Sequence, residues 1–309
     1  MPARSSRLRA GLVLTVGVLG LLPALAACGE STAPPAGDPA GRTLTVVAST
    51  NVWGSIVGAI AGPGVQVDSI IKDPAADPHS YESSPAAAAA ITDADLVVVN
   101  GGGYDEWAEQ TVRSDQAVAG KTIQAFDLRG DKAADNEHVW FDPTAVKGVV
   151  NQVAERLATV EPAQAAALRE RASAFSGRVD EAAGKLAEVG KARPGAQVYS
   201  TEPIAFYLLR TAGVADVTPE AFSEAVENET DPPAAALAEV GDGLAQRRVG
   251  ALVFNPQTET PVVAALRDRA RAANVPVVEV TETLPPGKDY LQWLDGNRAA
   301  LTTAFGLPA

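Results

Sequence analysis

Short β-branched runs and helix-forming stretches alternate twice along this chain, and one long run without strand signals separates the two halves. Residues 162–191 are dominated by Ala, Leu, Glu and Arg. Pro162 is the only proline there, and glycine occurs only at Gly177, Gly184 and Gly190. Leu168, Phe175, Val179, Leu186 and Val189 recur at roughly helical spacing, which predicts one helix of near thirty residues, about 45 Å long at 1.5 Å per residue. Arg193-Pro194-Gly195 ends it. Such a rod, flanked on each side by alternating strands and helices, predicts an α/β fold. Two similar α/β lobes with mostly parallel sheets are joined by one long rigid helix.

In the first half, residues 44–48, 65–71, 96–100 and 121–126 read as strands. Ser49-Thr50-Asn51 is placed to cap a helix over 52–61, and Ser84-Pro85 to open an Ala-rich one. Asp142-Pro143 begins a long helical stretch. In the second half, 197–200, 249–254 and 275–280 read as strands, and 204–212 and 289–305 as helices.

The N-terminus reads as an export signal over 1–27. Arg4, Arg7 and Arg9 precede an apolar run too short for a comfortable membrane span, followed by Leu25-Ala26-Ala27-Cys28. This is a lipobox, and Cys28, the only cysteine, would carry a diacylglycerol. Residues 28–41, rich in Pro, Ala, Gly and Ser, read as a flexible tether. The expected organisation is therefore signal 1–27, tether 28–41, N-terminal lobe 42–161, linking helix 162–192 and C-terminal lobe 193–309. With its thiol consumed, the chain has no sulfur to offer a metal. Loss of the three arginines takes the formal charge from −13 to −16. Such acidity argues against nucleic acid as a partner.

The protein has two histidines, and both lie in turn-prone segments beside an aromatic residue: Asp77-Pro78-His79-Ser80-Tyr81 and Glu137-His138-Val139-Trp140. Neutral imidazole is the commonest protein metal ligand, so a shared metal site is expected. Two donors do not complete one. Equivalent loops in the second half offer Glu202, after the strand at 197–200, and Glu282, after the strand at 275–280. Ligands of open α/β sheets bind outside the carboxyl ends of strands. The expected metal site is His79, His138, Glu202 and Glu282. Glu202 also reads as a helix-start carboxylate, and Asp289 competes with Glu282 unless it caps the last helix. Glu82, Glu137 and Asp142 are candidates for orienting the imidazoles, although Asp142 can equally serve as a helix cap. Gly101-Gly102-Gly103 lacks the Gly-Lys-Ser/Thr ending of a phosphate loop. The acidic segment 227–231 reads as a solvated loop.

These motifs in this order resemble the ZnuA/TroA/PsaA-like metal-binding lipoproteins of bacterial ABC importers. Asp77-Pro78-His79 with Tyr81-Glu82, Asn100-Gly101, Trp107, the block from His138 to Pro143, and Asp289-Tyr290-Leu291 carry the resemblance. It implies a metal in the interlobe cleft, with His79 and His138 as the first two ligands. It implies Glu202 as the third ligand, as in many manganese binders, and Glu282 where the family usually has Asp. It further implies a monomeric, lipid-anchored extracytoplasmic protein that hands its ion to an ABC permease and performs no chemical step. A hard donor set slightly favours Mn²⁺ over Zn²⁺, with Fe²⁺ also accommodated. The rival readings are a metal-dependent hydrolase and a surface adhesin or interaction protein.

Overall fold

The computed structural model describes residues 42–308; the expected signal 1–27, Cys28 and the tether 28–41 lie outside the described residues. The first sheet comprises β1 (Leu44–Thr50), β2 (Val65–Ile71), β3 (Leu96–Val99) and β4 (Thr122–Gln124), in the order β2-β1-β3-β4. The second comprises β5 (Gln197–Ser200), β6 (Ala215–Asp216), β7 (Ala251–Phe254) and β8 (Val277–Glu279), in the equivalent order β6-β5-β7-β8. Every pairing in both sheets is parallel. Parallel sheets are covered on both faces, which allows a central strand to be a continuous apolar run. Accordingly β3 (LVVV) and β7 (ALVF) are buried at every position.

The helices are α1 (Asn51–Ala61), α2 (Pro85–Asp93), α3 (Glu106–Ser114), α4 (Gln116–Gly120), α5 (Pro143–Val160), α6 (Ala165–Ala192), α7 (Phe206–Ala212), α8 (Glu220–Glu227), α9 (Ala234–Ala245), α10 (Pro261–Ala272) and α11 (Tyr290–Ala304). The long rod is α6, 28 residues, entered through a 3₁₀ turn over Pro162–Gln164. Its buried stripe includes all five residues at the expected spacing, together with Ala172. It packs along α5 and also against α1, α7 and α11, so it touches both halves.

Several local expectations change in the fold. Thr50 precedes α1 but makes no side-chain cap bond, and the Asn51 side chain is used elsewhere. The strand expected over 121–126 stops at Gln124, because the chain turns into a 3₁₀ segment at Phe126–Leu128. The strand expected from 275 begins at Val277, because the Val275 amide closes the end of α10 on the Ala270 carbonyl at 2.8 Å. Ser84 and Asp289 do cap their helices, Asp289 within a full capping box with Gln292.

The three glycines of α6 are not equivalent. A Cβ at Gly177 or Gly184 meets nothing within 4 Å, whereas one at Gly190 lies 2.4 Å from the Ala212 carbonyl and 2.8 Å from that of Gly213. Gly190 is therefore the contact that lets the end of α7 sit against the rod. Gly177→Ala and Gly184→Ala should each stabilise by up to about 1 kcal/mol, the helix-propensity difference. Gly190→Ala should destabilise by about 1–3 kcal/mol, because backbone must move to relieve the overlap. Urea denaturation of the three variants reads both signs in one helix.

Candidate metal centre

Both sheets have one strand order, so each presents loops of the same kind at its carboxyl edge, and the two edges face each other. His79 comes from the loop after β2 and His138 from the segment after β4. Each histidine sits two residues after an Asx side chain that accepts its backbone N–H: Asp77 Oδ1 for His79 (2.9 Å) and Asn136 Oδ1 for His138 (3.1 Å). These Asx turns set the backbone locally. Asn100, just after β3, donates from Nδ2 to the Glu137 carbonyl at 2.8 Å and accepts from Trp53 Nε1 at 3.2 Å. The three-glycine turn behind it has φ of 77°, 71° and 92°, a run of backbone that only glycine adopts without strain. Asp105 closes that turn, accepting from the Asn100 and Gly101 amides at 2.7 and 2.8 Å. The turn thus positions the His138 loop. The imidazoles are also held by ring edges: Tyr104 lies 4.7 Å from His79 and Trp140 lies 5.2 Å from His138, centroid to centroid.

The two halves are tied directly around the site. Asn51 clamps Leu284, accepting its N–H (2.9 Å) and donating to its carbonyl (3.4 Å). Tyr290 Oη donates to the Trp140 carbonyl at 2.7 Å, and Tyr207 Oη to that of Asn136 at 2.9 Å. Gln257 Nε2 donates to the Ala76 carbonyl at 2.6 Å, beside the His79 loop.

Four donor atoms converge in this enclosure. His79 Nε2 lies 3.6 Å from Glu282 Oε2 and 3.5 Å from Glu227 Oε1, and His138 Nε2 lies 3.5 Å from the same Glu227 oxygen. All four atoms are buried and have no hydrogen-bond partner. One donor each from His79, Glu137, His138 and Glu227 also fit within 4.8 Å of one another. Ligands about 2.1 Å from a tetrahedral ion are about 3.4 Å apart, so the 3.5–3.6 Å separations leave room for one ion between these atoms.

Of the residues expected at the site, His79, His138 and Glu282 are brought together. Glu202 is fully buried beside them, but its carboxylate is engaged: Asn255 Nδ2 donates to Oε1 and Thr258 Oγ1 to Oε2. The same Asn255 amide donates to Glu282 Oε1 at 2.9 Å, linking the two carboxylates. Glu137 lies in the cluster. Glu82 is exposed. Asp142 accepts from the Thr144 amide as the cap of α5 and from the Gly130 amide, and His138 Nδ1 has no partner.

Two residues were not anticipated. Glu227, within the segment read as a solvated loop, is instead the last residue of α8, with its side chain 14 % exposed; residues 228–231 beyond it are exposed as expected. Spacing carries no signal for it. Asn255 had one: a polar residue directly after the buried strand β7, at the same edge as Asn100 and Glu202.

Electrostatics at the site favour neutral forms. Burial pushes the Glu282 carboxyl well above its usual range, and Glu202 adds to the effect. Burial raises Glu202 to about 7, and raises Glu227 to about 10 with help from the Glu202, Glu137 and Glu282 carboxylates. Burial lowers His79, and lowers His138 well below its usual value with a further contribution from His79. Among the described residues no Lys or Arg pairs with Glu202, Glu227 or Glu282. A divalent cation held there would supply the missing counter-charge.

The chain has relatives among known proteins. Residues 46–304 match the family described as zinc-uptake complex component A, periplasmic (ZnuA). The manganese-binding lipoprotein MntA of Halalkalibacterium halodurans is 31 % identical over 126 residues, covering 40 % of this chain and 41 % of that protein. The high-affinity zinc uptake system protein ZnuA of Bacillus subtilis is 23 % identical over 279 residues, 84 % of each chain. The periplasmic zinc-binding protein TroA of Treponema pallidum shares the fold, with TM-score 0.70 and 20 % identity over 85 % of this chain and 99 % of that one. The chain thus belongs to the ZnuA family of metal-binding substrate-binding proteins of ABC importers, a family of carriers and not of enzymes.

Proposed function

We propose that this protein is a monomeric, extracytoplasmic carrier, anchored by lipid on Cys28, that captures one divalent transition metal between its lobes and delivers it to an ABC permease. The observation that carries the reading is the convergence of four buried, unpartnered donor atoms from both halves, at separations suited to a metal. His79, His138 and Glu282 face the ion, and Glu202 is buried against them. Two imidazoles at four-coordinate spacing suit Zn²⁺, while the neighbouring Glu137 carboxylate is available for the higher coordination that Mn²⁺ takes. An ion held by groups from both halves binds the closed arrangement better than an open one, and this difference in affinity is what lets a permease distinguish loaded from empty carrier.

Calorimetric titration of metal-stripped protein with Mn²⁺ and with Zn²⁺ tests the reading. One ion should bind per chain, and His79→Ala should abolish the heat. No binding of either ion, or binding unchanged in His79→Ala, would reject the carrier function.

A further inference from the structure

We propose that Glu227 is itself a ligand of the captured cation and closes the site on the side of the interlobe cavity, while Glu202 remains fixed to Asn255 and Thr258. The inference rests on the metal-carrier reading and departs from the expectation that the carboxylate after β5 supplies the third ligand.

Position is the first argument. Glu227 Oε1 lies 3.5 Å from both imidazole Nε2 atoms, so one oxygen bridges the two histidine loops. The fully buried His138 points its unpartnered Nε2 at that oxygen. Availability is the second. Glu227 Oε1 is buried without a partner, whereas each oxygen of Glu202 already accepts a hydrogen bond. Those two bonds hold the Glu202 carboxylate in place and take up part of its accepting capacity, whereas Glu227 Oε1 has its lone pairs open to a cation.

The helix supplies a third argument. Glu227 is the last residue of α8, at the negative end of the helix macrodipole. A carboxylate there is unfavourable alone and favourable once a cation sits beside it. Phe222 and Val226 anchor α8 in the core of the second half, so the carboxylate is held in place rather than swinging freely. Finally, Glu227 lines a cavity of about 570 Å³ whose walls come from both halves and include Asp135, Glu137, Asp216, Glu220 and Glu224. Glu227 therefore stands between the buried donors and an acidic approach that concentrates cations. An ion arriving there meets Glu227 before the histidines, and Glu227 then covers the ion on that side.

The test compares Glu227→Gln, Glu227→Ala, Glu202→Gln and His79→Ala. Zn²⁺ and Mn²⁺ affinities are measured by competition with a chromophoric chelator, and water-proton relaxation of the Mn²⁺ complexes reports water bound to the ion. Circular dichroism of each metal-free variant verifies folding. Glu227→Gln should weaken both ions by more than the roughly 10–100-fold that groups orienting a ligand typically contribute, and Glu202→Gln should stay within that range. Mn²⁺ bound to Glu227→Ala should relax water protons faster, because a water takes the vacated position. Glu227 affinities within threefold of the unmodified protein would overturn the proposal. Weaker affinity with unchanged relaxation would also overturn it, since Glu227 would then act only through its field. Undiminished binding by His79→Ala would instead reject the carrier reading, whatever Glu227 does.

Discussion

Chelating the bound metal should lower the thermal unfolding midpoint by roughly 8 °C. A ligand at a thousand times its dissociation constant stabilises the native state by about 4 kcal/mol, and a chain of this size shifts by about 2 °C per kcal/mol. The effect is large because the metal-free site carries its cost in the folded state only. Glu202, Glu227 and Glu282 are withdrawn from water near the buried His138 and half-buried His79 imidazoles, with no basic partner among the described residues. In the unfolded chain each carboxylate is hydrated and the penalty disappears. Calorimetric scans with and without chelator, repeated at rising metal concentration, check this. The midpoint should climb with the logarithm of free metal, and a midpoint indifferent to chelator would show that no ion binds the native state.

Trp140→Ala should destabilise the protein by about 3–5 kcal/mol, the range for deleting a buried large aromatic, and should also weaken metal binding. Trp140 is 1 % exposed and packs against Tyr104 at 4.7 Å, His138 at 5.2 Å and Phe141 at 6.0 Å. It therefore belongs both to the core and to the wall that fixes the His138 ring. Its backbone carbonyl receives the Tyr290 hydroxyl from the other half, so collapse around the cavity would reach the junction between the lobes. Trp140→Phe should lose much less. The ring body survives, and the indole N–H, buried without a partner, is removed along with its cost. Guanidinium denaturation of both variants, with Zn²⁺ affinity measured on each, separates the packing effect from the effect on the site. Equal losses in the two variants would mean that the indole ring as a whole, not its aromatic bulk, is what the core requires.

The α/β architecture, the parallel sheets, the rod α6 and the two histidines were all legible in the amino-acid order. They rest on local rules. A strand buried on both faces must be apolar along its length, a long helix must repeat its apolar residues every three or four positions, and a histidine beside an Asx turn has its backbone placed by its neighbours. Those rules operate within a few residues, and a linear reading can apply them. Tertiary structure decided which side chains meet around the histidines and what each of them bonds to. Glu202 follows its strand as expected, yet the fold gives its oxygens to Asn255 and Thr258. Asn51 looks like a helix cap and instead holds Leu284, 233 residues away. Glu227 is indistinguishable in sequence from its solvated neighbours Glu224 and Glu229. What separates it from them is exclusion of water and proximity to two imidazoles contributed by the other half. Both arise only when the carboxyl edges of the two sheets are brought face to face, and no spacing along one chain segment encodes that.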